Sequence, residues 1–189
     1  VTILQEDFTD TEKGGFFDTT GDAPLLPNRG QDFQDGAVPS GTALALQLLA
    51  RLSPLDDSEK TAGTVQAAID RLAPLAGRAP QAFPSLLIAT DAWLGPMLEI
   101  VLDGTPGEEA FEAMLSRART QLVPARLLIP SANEAAGDLP AILGSEPALL
   151  EGRRATDAPT AWVCTRGLCQ LPTSDPDQLA QQLADQGKR

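Results

Sequence analysis

The chain has 189 residues, enough for one large or two small domains, with 26 Asp and Glu against 14 Lys and Arg and a formal charge of −12. That balance disfavours nucleic acid and anionic membrane surfaces, which need clustered cations, and only Arg153-Arg154 and Lys188-Arg189 put two basic residues side by side. With no histidine and two cysteines, Ser-His-Asp and Cys-His nucleophiles, His-ligated metals and four-thiolate zinc are all ruled out, and no metal or cofactor is expected.

No apolar run approaches the ~20 residues that span a bilayer, so a membrane is not an expected partner. Val1-Thr2-Ile3-Leu4-Gln5 lacks a basic start and a long apolar core, unlike a signal peptide. It resembles the inside of an element, so the chain is expected to be part of a longer polypeptide, and cytoplasmic.

Residues 1–34 are polar and Gly-rich. Gly14-Gly15 followed by Phe16-Phe17 predicts a turn whose backbone approaches something closely. Asp35-Gly36-Ala37-Val38-Pro39-Ser40-Gly41 is a tight loop delivering the chain into a helix, with Ser40 as its N-cap. Leu44, Leu46, Leu48, Leu49 and Leu52 fall on nearly every side of that helix, as in one enclosed by other helices. Pro54 and Asp56-Asp57 end it. A second helix is predicted over Ser58 to Leu72, with Val65, Ala68, Ile69 and Leu72 on one stripe, and a third after Pro84 with Leu86, Leu87 and Trp93.

Gly95-Pro96 marks a change of pattern and divides residues 1–95 from 96–189. Met97 to Leu102 reads as a buried strand. Thr105-Pro106-Gly107-Glu108 reads as a capping box opening a helix with Phe111, Leu115, Ala118 and Leu122 on one face. Arg126 to Ile129 is a second strand, so strand–helix–strand predicts a right-handed parallel crossover. Residues 131–159 are rich in Ala, Gly and Pro, with a short helix expected over Leu139 to Leu143. Thr160 to Cys164 is a third strand, and Asp175-Pro176 starts a last helix with Leu179 and Leu183 on one side. The expected class is mixed: helical hairpins, then a small α/β region with a short parallel three-stranded sheet.

Taken in order, several motifs resemble one family. They are Phe8 and Asp10; Gly14-Gly15-Phe16-Phe17-Asp18-Thr19; Leu26 and Arg29; Asp35-Gly36-Ala37-Val38-Pro39-Ser40-Gly41; and Val163-Cys164 with Cys169 and Pro172. This set is similar to the C-terminal part of thioredoxin-domain-containing proteins, among them bacterial proteins and the vertebrate spermatogenesis-associated proteins. The resemblance implies an N-terminal thioredoxin-like domain, an (α/α)6 toroid related to six-hairpin glycosidases and N-acylglucosamine 2-epimerases, and a small C-terminal α/β region. Residues 1–95 would then be the last toroid hairpins, and their partners the preceding part of the same polypeptide and a carbohydrate-like small molecule. Thr42 and Gln31 depart from it, standing where Asn and Lys are usual.

A glycosidase-like reaction needs two carboxylates flanking one bond. Asp18 and Asp35, each in a Gly-flanked loop near a helix start, are the candidate catalytic pair. Asp35 before Gly36 suits a turn-former better, its side chain bonding the backbone amides that follow. Arg29, Phe16, Phe17 and Ser40 are the candidate substrate contacts: Arg29 for an anionic group or a carboxylate, the Phe rings as platforms. An epimerase mechanism through histidine has no residue here.

Cys164 and Cys169 are separated by Thr165-Arg166-Gly167-Leu168, not by the two residues of a thioredoxin redox pair. Three readings stay open, in this order: reduced structural cysteines, a structural disulfide and a redox switch. Arg166 could lower a thiol pKa. The turn at Gly104-Thr105-Pro106-Gly107 lacks a P-loop Lys, and Glu108 and Glu109 would repel an anion, so it reads as a cap. The function expected is that of the C-terminal part of a toroid protein acting on or binding a carbohydrate-like ligand. The alternative is a non-catalytic interaction or redox-accessory module.

Overall fold

The computed structural model describes residues 1–22, 28–55, 58–123, 125–131 and 147–186. Leu26 of the motif set, the Asp56-Asp57 helix break and the helix expected over 139–143 lie outside the described residues. The chain divides into two compact units, residues 1–53 with 58–95, and residues 54–57 with 96–189.

In the first unit, a wide helical turn at Leu4–Phe8 precedes α1 (Gly41–Leu52), α2 (Glu59–Arg78) and α3 (Pro84–Leu94). Each start has a local cause. The Ser40 hydroxyl accepts the Ala43 N–H, the Ser58 hydroxyl accepts the Thr61 N–H, and Pro84 occupies the first turn of α3, where no backbone N–H is needed. The second helix is longer than its apolar stripe predicts, running through Pro74 to Arg78. Proline removes one bond, to the Asp70 carbonyl, but Ala76 beyond it is buried, and that burial continues the helix. Leu46, Leu49, Val65, Ile69, Leu72, Phe83 and Leu86 form the core with Phe16.

The first helix is not enclosed on all sides: Leu44 and Leu48 are 51% and 47% exposed. On α3, Leu87, Ile88 and Leu94 are likewise exposed. No helix among the described residues is long and apolar enough to cross a membrane.

The second unit holds β1 (Leu98–Asp103), α4 (Glu109–Thr120), β2 (Arg126–Ser131), β3 (Thr160–Thr165), β4 (Leu168–Cys169) and α5 (Pro176–Gln186). β1 and β2 pair in parallel, as the intervening helix requires. The sheet is nevertheless four-stranded and mixed, in the order β2-β1-β3-β4, because β3 runs antiparallel to β1 and turns back into β4. Alternation along a strand specifies faces, not direction. Leu98, Ile100 and Leu102 share one buried cluster with Phe111, Met114, Leu115, Leu179 and Leu183.

Thr105-Pro106-Gly107-Glu108 is a turn rather than a capping box. Gly107 has φ +85°, the Glu108 N–H reaches back to the Thr105 carbonyl at 3.2 Å, and α4 begins only at Glu109. Proline second and a positive-φ glycine third are the type II pattern, which cannot lie inside a helix. Leu122, placed on the buried face by its spacing, lies beyond the helix end and is 83% exposed.

Candidate functional site

Thr9 and Phe16 pair in an isolated antiparallel bridge, and between them the chain makes a tight loop. Gly14 and Gly15 have φ of +80° and +89°. A Cβ on Gly14 would stand 2.9 Å from the Ala67 carbonyl oxygen of α2, so only glycine lets the loop lie this close to the helix. This is the close approach expected of the glycine pair.

The loop places Asp10 at the centre of a polar cluster. Its Oδ1 accepts the N–H groups of Glu12 and Lys13, both at 3.0 Å. Its Oδ2 accepts the Gln31 amide at 2.9 Å and faces the Arg71 guanidinium at 3.7 Å. Burial acts to raise the Asp10 pKa, but the bonds from Lys13, Glu12 and Gln31, with the Arg71 charge, outweigh it and hold the carboxyl below its ordinary value. Asp10 is therefore ionised at neutral pH, an acceptor or base rather than an acid.

Arg71 also donates to Gln31 Oε1 at 2.9 Å and to the Gly14 carbonyl, and it lies over the Phe33 ring, 4.8 Å from its centroid. Arg29 repeats the arrangement over Phe17 at 4.0 Å, with Nε donating to the Thr19 carbonyl at 3.0 Å and Nη2 to the Asp7 carbonyl. Such cation–ring pairs contribute about 0.5–1 kcal/mol when exposed. These groups line an open cleft of about 620 Å³ bounded by residues 9–13, Phe17, Arg29, Gln31, Phe33 and Arg71. A second recess of about 390 Å³ lies between the same loop and Lys60, Gly63, Thr64 and Ala67 of α2.

Of the residues singled out from sequence, Phe17 and Arg29 line the larger cleft. Phe16 does not; it is 3% exposed, in the core. Ser40 is buried as the cap of α1. Asp18 is exposed and accepts the Asp32 N–H at 3.2 Å. Asp35 joins two helix starts: Oδ1 accepts the Ser40 N–H at 2.8 Å and Oδ2 the Ser85 N–H at 2.6 Å. Neither Asp18 nor Asp35 lines this cleft, and the two are not brought together in it. Gln31 and Thr42, the two departures, are both engaged: Gln31 bridges Asp10 and Arg71, and the Thr42 hydroxyl donates to the Phe16 carbonyl at 3.4 Å.

Sequence reasoning missed Arg71 and Phe33. Arg71 sits on the polar side of an ordinary amphipathic helix, and nothing in the helix period sets it apart from Arg78. Only the motif set pointed to Asp10. The two cysteines, placed first as reduced thiols, form a disulfide. The two-residue turn at Arg166-Gly167 sets them directly opposite each other on β3 and β4.

No protein-family model matches the chain. Human spermatogenesis-associated protein 20 is 30% identical to it over 178 residues, which are 91% of this chain and 22% of that protein. The rat protein of the same name matches with the same identity and coverage, and the mouse protein is 29% identical over 178 residues. The chain thus spans 22% of the length of the curated relatives it matches. Across nearly all of its own length it is distantly homologous to spermatogenesis-associated protein 20.

Proposed function

We propose that the chain is the C-terminal part of a thioredoxin-domain protein with a six-hairpin glycosidase-like toroid, and that its first unit walls a pocket for a carbohydrate-like small molecule. The observation that carries this reading is the Asp10–Gln31–Arg71 cluster, open to a cleft and flanked by Phe17 and Phe33. Sugars present hydroxyls that both donate and accept, and they are recognised by fixed planar polar groups beside aromatic rings. Two carboxylates and three cations line the cleft, so charge is nearly balanced and a neutral or singly acidic sugar suits it. The distant homology supports the larger architecture. So do the exposed leucines of α1 and α3, which neighbouring hairpins of a closed toroid would cover.

In this reading Asp35 and Asp18 are positioning residues. Asp35 aligns the starts of α1 and α3, and Asp18 holds the turn at Asp32. The second reading, a non-catalytic module with structural loops, draws on the same saturation of Asp10 and Asp35 by backbone N–H groups.

The test uses the full-length protein and a panel of neutral hexoses, N-acyl amino sugars and uronic acids, followed by thermal shift and calorimetry. Binding of one class, weakened about tenfold or more by Gln31→Ala and by Arg71→Lys, is expected, since each removes a directed hydrogen bond. No binding by any class, or binding that both substitutions leave unchanged, defeats the proposal. Asp18→Asn and Asp35→Asn should alter stability before affinity.

A further inference from the structure

The disulfide lies in an arrangement that the cleft does not use. Arg166 and Gly167, with φ of 50° and 78°, form the tight turn between β3 and β4, and Cys164 and Cys169 are cross-strand partners. Disulfides stabilise chiefly by closing long loops in the unfolded chain. This one joins residues five apart that the turn already opposes, so it constrains little. Its two ends differ sharply. Cys164 is 1% exposed, whereas Cys169 lies on the exposed edge strand between Leu168 and Leu171, which are 82% and 81% exposed.

A cation is held against the exposed end. Arg153 Nη2 points at Cys169 Sγ from 3.0 Å, and Nη1 of the same guanidinium donates to the Ala148 carbonyl at 3.2 Å and to the Leu149 carbonyl. Across the β1–β3 ladder from Cys164 stands Glu99, which accepts N–H groups from Gly167 and Arg166 and also faces Arg153. Burial raises the Glu99 pKa, and those two N–H groups and Arg153 offset that only in part. Among the described residues, the charged groups set against the pair are Glu99 from β1 and Arg153 from the segment before β3, with Arg166 in the turn itself.

We propose that Cys164–Cys169 is a thiol–disulfide exchange site, reduced by a dithiol that attacks at Cys169 and leaves a thiolate there beside Arg153. An external thiolate bonds to Cys169 Sγ, the Cys164–Cys169 bond breaks, and its electron pair leaves on the Cys164 sulfur, which takes up a proton. The second thiol of the reductant loses its proton and attacks its own first sulfur. That closes the reductant's disulfide and expels Cys169 as a thiolate. Two electrons pass from the dithiol to the protein, one proton stays on Cys164, and the other goes to solvent. A thiolate beside a fixed guanidinium titrates below the ordinary ~8.5 of a free cysteine.

The experiment treats the intact chain with dithiothreitol without denaturant. Maleimide trapping with intact mass follows the thiols, circular dichroism follows the fold, and thiolate absorbance is titrated against pH in the reduced protein. The expected result is no free thiol before treatment, two afterwards with the helical signal kept, and one thiol titrating at least one unit low, about tenfold more thiolate near neutrality. Arg153→Gln should remove that low titration and slow reduction, while Arg153→Lys should keep it. Free thiols in the untreated protein, reduction only on unfolding, or a titration that Arg153→Gln leaves in place would each overturn the proposal.

Discussion

Replacing Asp35 by alanine tests how the two helix starts of the first unit are held. The carboxylate accepts the Ser40 N–H at 2.8 Å and the Ser85 N–H at 2.6 Å, one at the cap of α1 and one in the first turn of α3. Loss of a helix cap costs about 1 kcal/mol, and a hydrogen bond to a charged group contributes about 1.5–3 kcal/mol. One contribution of each kind would total about 2.5–4 kcal/mol. Asp35 is partly exposed, so water reaches the freed amides, and about 2–3 kcal/mol is expected.

The pH dependence has a definite sign. Burial acts to raise the Asp35 pKa, but the N–H groups and hydroxyls of Ser85 and Ser40 outweigh it, so the folded value lies below the unfolded one. The contribution is then complete above the unfolded pKa of about 3.9 and is lost as pH falls through the lower folded value. With two units in the chain a single unfolding midpoint is ill-defined, so hydrogen exchange resolved by segment is the suitable assay. At neutral pH the amides opening α1 and α3 should both exchange on the order of 30-fold to 150-fold faster in Asp35→Ala. A change under threefold, or in one helix alone, would refute the two-helix latch, and so would a destabilisation in urea undiminished well below pH 4.

Two further outcomes are expected. Gly14→Ala places a Cβ against the backbone of Ala67 at a residue with φ +80°, and should destabilise the first unit by about 2 kcal/mol or more in urea titration. A cost under 0.5 kcal/mol would mean that the loop does not press on α2. In the second unit, Arg126 donates to the Gln121 carbonyl at 2.9 Å, to the Arg119 carbonyl at 3.1 Å and to the Ala118 carbonyl, covering the end of α4. Arg126→Ala should cost about 1–2 kcal/mol and loosen the last turn of α4 in exchange, while Arg126→Lys should recover part of it.

The legible parts of the fold have causes within a few residues. Ser40, Ser58 and Pro84 each start a helix where the chain alone suggests, and Asp175 does the same for α5 by accepting the Asp177 N–H at 2.8 Å. Two helix boundaries read from pattern were misplaced. Thr105 to Glu108 matches both a capping box and a type II turn, and the positive φ of Gly107 decides for the turn. Pro74 signals a helix end, but the burial of Ala76 past it outweighs one lost hydrogen bond. The candidate site was harder to read. Asp10, Gln31 and Arg71 come from segments about 20 and 40 residues apart, and Arg71 has no local mark.

The sequence by itself determined where α1, α2, α3 and α5 begin, part of each core (Val65, Ala68, Ile69 and Leu72 in one, Leu179 and Leu183 in the other), and that β1 and β2 are parallel. Caps, apolar periods and a helix between strands are short-range properties of the chain. Only the tertiary structure decided the direction of β3, the disulfide opposite its turn, and the use of Asp35 as a double cap. It also decided the meeting of a loop carboxylate with a helix guanidinium. Each of these depends on which distant groups are left unpaired once the cores have packed, and a buried N–H, carboxylate or guanidinium then takes whatever partner the packing brings to it.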